Sequence, residues 1–177
     1  MKLAAAALAT AILELNAWAG QIGPDGSKVV VCMEESGPAA IRYRAIGIAT
    51  KIYAGIGVTL DWKSGSRACK AADVIHIELA EQTPDKLMPG ALAYALPYEG
   101  VHIRVFLDRV EKSVGANGLP CVLAHVLVHE IGHILQGLVR HSETGVMKAH
   151  WDWDDYFEMK HHPLPFYARG YSGDSKR

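Results

Sequence analysis

The chain has 177 residues, half of them hydrophobic, which suits one globular domain with an ordinary core. Its 18 Lys and Arg nearly balance its 19 Asp and Glu, and the sequence contains no long cationic run. The composition therefore argues against a nucleic-acid-binding protein, which would need a basic face, and against binding to an anionic membrane surface.

The N-terminal stretch MKLAAAALATAILELNAWAG has the organisation of a secretory signal peptide. Lys2 provides a positive charge, residues 3–13 are apolar, and Ala17-Trp18-Ala19 has the small residues of a cleavage site. The apolar stretch is too short to span a bilayer, so we expect no stable membrane insertion. We predict a signal peptide at 1–19, a domain at 20–162 and a flexible tail at 163–177, in a secreted or periplasmic protein. The alternative is an N-terminal amphipathic helix that the protein retains.

The chain has three cysteines, Cys32, Cys69 and Cys121. In an exported protein two of them could form a disulfide and leave one free thiol. The sequence does not choose among the three possible pairs. Zinc binding by cysteines alone is not expected, because no two of them are close in sequence.

The first predicted elements are a strand, a helix and a second strand. KVVVCM at 28–33 is a short apolar run typical of a buried strand. After Pro38, apolar residues recur at helical spacing and indicate a helix that ends at Gly55 or Gly57. The residues of this stripe are Ile41, Ala45, Ile48 and Ile52. VTLDWK at 58–63 is predicted to be the next strand.

Three further strands are predicted at 73–79, 91–97 and 101–107. Residues alternate between apolar and polar in the first and the third of these strands. Pro89 and Pro97 flank the middle strand and place it at an edge of the sheet. A loop at 111–120, a long apolar helix at 120–137 and a helix at 152–160 follow. The fold class is therefore one α/β (α+β) domain with a mixed, twisted sheet of about five strands, an active-site helix, a backing helix and a C-terminal helix.

The long helix carries the motif HEIGH, His129 to His133. Residues four apart lie about 40° apart around a helix and one turn apart along it, so His129 and His133 can bind one metal ion. Glu130 lies beside His133 and can act on a metal-activated water as general base. The apolar residues form a separate stripe that we expect to face the sheet, namely Leu123, Leu127, Ile131, Ile134 and Leu138.

A catalytic zinc ion needs a third protein ligand and one open position for water. Gly137 can end the helix in a left-handed conformation and let the chain turn back beneath the metal. His141 is then the favoured third ligand. The competing donors are Glu143, His150, Asp154, Asp155 and Glu158.

The segment HEIGHILQGLVRHSETGVM resembles the metzincin metallopeptidases, and especially the matrixin-like ones with the pattern HExxHxxGxxHS and a later methionine. This resemblance implies that His129, His133 and His141 bind zinc, that Glu130 is general base and acid, and that Met147 lies beneath the metal. The stretch PGALAYALPYEGVHIRVFLD also looks like the substrate-binding edge strand of matrixins and its neighbour. Two extra residues separate His133 from His141 in this chain. Tyr94 stands where matrixins often have a histidine, which implies that a second, structural zinc is missing.

Several other residues could belong to the site. His125, one turn before His129, could support a ligand or contact substrate, although a plain helix histidine is the simpler interpretation. His150 or Tyr156 could donate a hydrogen bond to an oxyanion. Ala91, Ala93 and Ala95 could let an extended peptide approach the edge strand. The aromatic residues Trp151, Trp153, Tyr156 and Phe157 are expected to anchor the last helix, and His161 and His162 to be solvated.

These features together predict a secreted zinc-dependent peptidase with one catalytic Zn²⁺, a polypeptide substrate and a monomeric state. Two alternatives belong to other classes. One is a secreted zinc-stabilised binding module without turnover, and the other is a cytoplasmic HExxH regulatory peptidase that keeps its N-terminus.

Overall fold

A computed structural model describes residues 28–65, 69, 74–84, 90–95, 101–137 and 139–166. The predicted signal peptide at 1–19 lies outside these residues. The elements in chain order are β1 (Lys28–Met33), α1 (Ala39–Ala54), β2 (Thr59–Lys63), β3 (Ile75–Ala80), β4 (Ala93–Ala95), β5 (His102–Phe106), α2 (Leu107–Gln136) and α3 (Trp153–His161). They form a single α+β domain, as the sequence predicts.

The sheet has five strands in the order β2-β1-β3-β5-β4. The first four are parallel, and β4 pairs antiparallel with β5 at one edge. The prediction of an edge position is confirmed, although the strand is only three residues long and starts at Ala93. Residues 96–97 of the predicted strand lie outside the described part of the chain. Strand β4 is therefore a short edge strand beside α2, and among the described strands it pairs with β5 alone.

Helix α1 makes the crossover between the parallel strands β1 and β2, which requires a connection of this length. Its buried residues are Ala45, Ala49, Ile52 and Tyr53. Ile41 and Ile48, which belong to the predicted stripe, are only half-buried. The buried face is therefore rotated towards Ala49 and Tyr53. The Tyr53 hydroxyl donates a hydrogen bond of 3.0 Å to the carbonyl of Val128 and so joins α1 to α2.

The prediction of a loop at 111–120 is wrong, because these residues belong to α2. A kink at Gly115, with φ 67° and ψ 175°, divides the helix into two segments. Pro120 is the fifth residue after Gly115 and remains helical, so its missing N–H costs the helix one hydrogen bond, to the carbonyl of Ala116. Gly115 therefore marks a kink between two helical segments, in a stretch where the sequence predicted a loop.

The second segment of α2 is buried on all sides from Gly118 to Ile134, except at half-buried Cys121. The sheet and α1 cover part of this surface, and the segment 139–166 covers the histidine face. The expected division into one buried and one open face is therefore too simple. By length and composition α2 could cross a membrane, but 89% of its most apolar window is buried within the domain, as in the core helix of a soluble protein.

Asp152 caps helix α3 by accepting hydrogen bonds from the backbone N–H groups of Asp154 and Asp155. Met159 is its buried residue, and Tyr156 is half-buried on the same side. The expectation that four aromatic residues anchor this helix is only partly right. Trp151 and Tyr156 pack against the core, whereas Trp153 and Phe157 are 70% and 59% exposed because they lie four apart on the outer face.

Cys32 and Cys69 form a disulfide with Cα atoms 5.5 Å apart, and Cys121 is free. This pairing selects one of the three that the sequence allowed. At the other end of the domain, Leu164 is buried and Phe166 is half-buried against the core. The first residues of the predicted tail therefore pack on the domain, and residues 167–177 lie outside the described part of the chain.

Candidate metal centre

The two histidines of the HEIGH motif point the same way from α2. Both are buried, at 8% and 6% exposure, and their Nε2 atoms are 2.9 Å apart. Their rings meet edge to face, with centroids 4.6 Å apart. The helix therefore aims two imidazole nitrogens at one point.

Gly137 brings the third histidine to the same point. It ends α2 in the left-handed conformation, with φ 60° and ψ 26°, and its N–H bonds to the carbonyl of Ile134. The chain then turns back, and Nε2 of His141 lies 3.3 Å from Nε2 of His133. His141 is itself exposed. Within the described residues, His129, His133 and His141 form the one cluster that could hold a metal ion, with ligand atoms within 4.8 Å of one another.

These three nitrogens fit a metal ion. Zinc binds imidazole at about 2.0–2.1 Å, and nitrogens in a tetrahedral arrangement around it stand about 3.3–3.4 Å apart. Two of the three separations are close to this value, 2.9 Å between His129 and His133 and 3.3 Å between His133 and His141. Three imidazoles leave one tetrahedral position for another molecule, which is the arrangement of catalytic rather than structural zinc sites.

The protonation of His129 also suits a ligand. Its Nδ1 lies 2.8 Å from the carbonyl oxygen of Val146, which can only accept, so Nδ1 carries the proton and Nε2 keeps its lone pair. The pKa of His129 is lowered to about 4, mainly by burial; the hydrogen bond to the Val146 carbonyl raises it, and the neighbouring His133 and His141 lower it. Burial, together with His150, also lowers the pKa of His141.

Met147 packs against α2 at Gly132, the residue before His133. It is 3% exposed, and a Cβ atom on Gly132 would come within 2.9 Å of its sulfur. The backbone N–H of Ser142 donates to the carbonyl of Met147 at 2.8 Å and closes the turn between His141 and Met147. Glycine between the two helical histidines therefore lets the methionine approach the helix backbone.

Glu130 is buried beside the cluster at 8% exposure. Burial raises its pKa to about 7, although a hydrogen bond from the Ala95 backbone acts in the opposite direction. The edge strand and the carboxylate are thus in direct contact. A carboxyl group with a pKa near neutrality can both take up and release a proton at physiological pH.

The cluster opens into a cleft of about 650 Å³. One wall is formed by residues 90–95 of the edge strand and the residues before it, including Ala91, Ala93 and Ala95. The other wall comes from the segment after α2. It consists of Val139, His141, Lys148, Ala149, His150, Trp151 and Tyr156. The predicted substrate strand and the histidines therefore share one cavity.

The remaining candidate residues have separate places. His150 is exposed on the cleft wall, outside the metal cluster. Tyr156 is half-buried and lines the cleft, and burial raises the pKa of its hydroxyl. His125 is fully buried and binds two backbone groups, so it does not line the cleft.

Among the competing donors, Asp155 is bonded to Lys148 and to the backbone of Asp152, and Glu143 is exposed. Two contributors to the site were not found from the sequence. The Val146 carbonyl is a backbone group that no side chain marks. Trp151 was expected only to anchor α3, but its ring also meets the His129 ring edge-on, with centroids 5.6 Å apart.

The sequence matches no family model, and no curated protein matches it either. Among solved structures it is similar to the structure of myroilysin, with a TM-score of 0.43 and 16% sequence identity. The similarity covers 79% of this chain and 62% of the other chain, so this chain spans less than two thirds of that protein's length. A similarity of this size assigns no function.

Proposed function

We propose that this protein is a zinc-dependent peptidase of the metzincin type. The observation that carries the proposal is the convergence of three histidine Nε2 atoms in a cleft that also holds the buried carboxyl group of Glu130. His129, His133 and His141 would hold the ion. The resemblance of the HExxH-to-methionine segment, and the position of Met147 against Gly132, support the metzincin assignment.

The donor set favours zinc over magnesium or calcium. Neutral imidazole nitrogen suits zinc and its transition-metal neighbours, whereas magnesium and calcium prefer oxygen ligands. The cluster contains imidazoles alone. When bound, the ion would act as a Lewis acid that polarises the scissile carbonyl and lowers the pKa of water towards ~7.

Glu130 would move the protons. Its carboxylate would take a proton from the attacking water and then pass it to the leaving amine nitrogen. Its position supports this role, because Glu130 lines the same cleft as Ala95 of the edge strand and the three histidines. His150 is the better placed of the two candidate oxyanion donors, since it is exposed in the cleft while Tyr156 is half-buried.

The edge strand supports a polypeptide substrate. Among the described strands β4 pairs with β5 alone, so an extended peptide could add to its other side through backbone hydrogen bonds. The small side chains of Ala91, Ala93 and Ala95 would allow a close approach. The long cleft wall formed by residues 90–95 favours an endopeptidase, because a chain can lie along it on both sides of the scissile bond.

Two features support export. The Cys32–Cys69 disulfide is of a kind that persists in oxidising compartments and is rare in the cytosol. The first 19 residues have the composition of a signal peptide. N-terminal sequencing of exported protein tests this directly, and a retained Met1 in a cytoplasmic protein would support the intracellular regulatory peptidase instead.

The decisive test of the function compares Glu130→Gln with Glu143→Gln. The Glu130 variant should keep one zinc ion per chain by elemental analysis and lose at least ~10²-fold in hydrolysis of a peptide library followed by mass spectrometry. Glu143 is exposed in the neighbouring turn, so its variant should keep both properties.

The proposal fails if the purified protein binds no metal or if Glu130→Gln cleaves as fast as the wild type. A zinc-bound protein that cleaves nothing, and that loses thermal stability on chelation, would instead be the non-catalytic binding module.

A further inference from the structure

The three residues Leu164–Phe166 pack against α2 and contact it at two places. The backbone N–H of Leu164 donates to Nε2 of His125 at 3.0 Å. The ring of Phe166 lies where a Cβ on Gly132 would be 3.4 Å from it, and packs against Tyr53 at 5.8 Å between centroids. These contacts lie on either side of His129 along the helix. The contact at His125 is one turn before it, and the contact at Gly132 is less than one turn after it.

The same three residues also hold the turn that carries Met147. The carbonyl oxygen of Pro165 accepts a hydrogen bond of 3.0 Å from the N–H of Val146. Val146 is fully buried, and its own carbonyl accepts the bond from Nδ1 of His129. Two hydrogen bonds to backbone groups of Val146 therefore connect Leu164–Phe166 to the ring of His129, which is a proposed metal ligand.

His125 fastens this segment to the helix. Nδ1 of His125 lies 2.7 Å from the carbonyl oxygen of Cys121, which can only accept, while Leu164 N–H can only donate to Nε2. Both bonds are satisfied by the neutral ring with its proton on Nδ1. The ring is fully buried and meets Trp151 edge-on, with centroids 6.4 Å apart. The two hydrogen bonds of His125 are thus satisfied together only when Leu164 lies at this position relative to α2.

We propose that Leu164–Phe166 is a positioning strap for the metal centre and that His125 is the positioning residue that fastens it. The inference rests on the proposed metal centre. The strap holds the Val146 carbonyl at a fixed place against α2, and that carbonyl sets the proton and the orientation of the His129 ring. Groups that orient a ligand in this way typically contribute 10–100-fold to metal affinity.

Two substitutions separate the two bonds of His125. Asparagine reaches about as far as Nδ1, so His125→Asn can still donate to Cys121 but leaves Leu164 N–H without its acceptor. Glutamine reaches about as far as Nε2, so His125→Gln restores that acceptor. Zn²⁺ affinity is measured on full-length folded protein by competition with a chromophoric chelator, and the absorption spectrum of the Co²⁺-loaded protein reports ligand geometry.

His125→Asn should weaken Zn²⁺ binding by ~10–100-fold and alter the Co²⁺ spectrum, while His125→Gln should stay close to the wild type in both. Equal affinity and spectra in the wild type and the Asn variant would overturn the proposal, even if the variant melts at a lower temperature. An equal loss in both variants would also overturn it. A wild type that binds no metal is a failure of the proposed function and is seen before any variant is compared.

Amide exchange tests the strap without any substitution. Coupling between two sites is reciprocal, so metal binding should tighten the strap as the strap supports the metal. On addition of Zn²⁺ to the wild type, exchange at the Leu164 and Val146 amides should slow more than at Glu34. The Glu34 amide, just after β1, donates to the carbonyl of Ile77 in β3, and neither residue lines the cleft. Equal slowing at all three amides would contradict the proposal.

Discussion

His129 is held on three sides within the cluster of histidines. Its Nδ1 is bonded to Val146, its Nε2 faces His133, and the Trp151 ring packs against it edge-on. A ring held on three sides loses little further freedom when it binds an ion, which is the benefit of preorganisation. His141 differs, since it is exposed, although its ring contacts the rings of His129 and His133.

His141→Ala and His150→Ala test which exposed histidine is a ligand. His141 belongs to the cluster, whereas His150 lines the cleft outside it. We expect His141→Ala to weaken Zn²⁺ binding by more than the ~10–100-fold that loss of a residue supporting a ligand costs, because a ligand itself is removed. His150→Ala should bind Zn²⁺ as the wild type does. Competition titration measures both, and a larger loss in the His150 variant would contradict the ligand set.

Gly132→Ala tests the contact between the helix and Met147. Alanine normally stabilises a helix by about 1 kcal/mol relative to glycine. Here its Cβ would lie 2.9 Å from the buried Met147 sulfur, so we expect the overlap to cancel this gain and to destabilise the protein by about 1–3 kcal/mol. The matched control is Gly47→Ala in α1, where nothing lies within 4 Å, and it should gain about 1 kcal/mol. Urea denaturation of both variants measures the change in the free energy of unfolding. An equal increase in both variants would show that the Met147 side chain moves aside freely.

At the scale of elements, α2 combines the core and the site in one helix. Its second segment packs on the sheet and α1, while its histidine face is covered by the segment that supplies His141, Val146 and the strap. The helix at HEIGH and its glycine end at Gly137 follow from local pattern, and both are found. The kink at Gly115 and the helix before it do not, because tertiary packing stabilises residues whose local propensity favours a loop.

The pH dependence of stability tests the burial of His125 within α2. Burial lowers the pKa of His125 below its ordinary 6.5. Below pH ~6.5 the unfolded state binds a proton that the folded state does not, so the free energy of unfolding falls as the pH falls, by at most ~1.4 kcal/mol per pH unit. His125→Gln cannot titrate, so in metal-free protein it should lose less stability than the wild type between pH 6.5 and 5.

Denaturation of the two proteins across this pH range provides the measurement. Their difference removes the contributions of other groups, including Glu130, whose raised pKa gives stability that is lost as the pH rises. Parallel pH profiles would show that His125 is not buried in its neutral form.

At the scale of the whole molecule, the disulfide joins β1 to the chain between β2 and β3, across a sequence separation of 37 residues. A loop of this length corresponds to about 4 kcal/mol of loop-closure entropy in the unfolded state. We expect Cys32→Ala/Cys69→Ala to lose up to this amount in urea denaturation. Cys121→Ala, which removes the free thiol, is the control and should change stability much less. An unchanged midpoint in the double variant would contradict a native Cys32–Cys69 bond.

The sequence by itself determined what depends on neighbours along the chain. Histidines four apart must share a helix face, Gly137 allows the turn, and prolines around residues 91–97 favour an edge strand. Only the tertiary structure decided which cysteines pair, that Val146 orients His129, and that Leu164–Phe166 returns beneath α2 to His125. The reason is physical: these contacts join groups that lie far apart in sequence, and most of them use backbone atoms that every residue possesses. Their partners are therefore chosen by the packing of the folded chain.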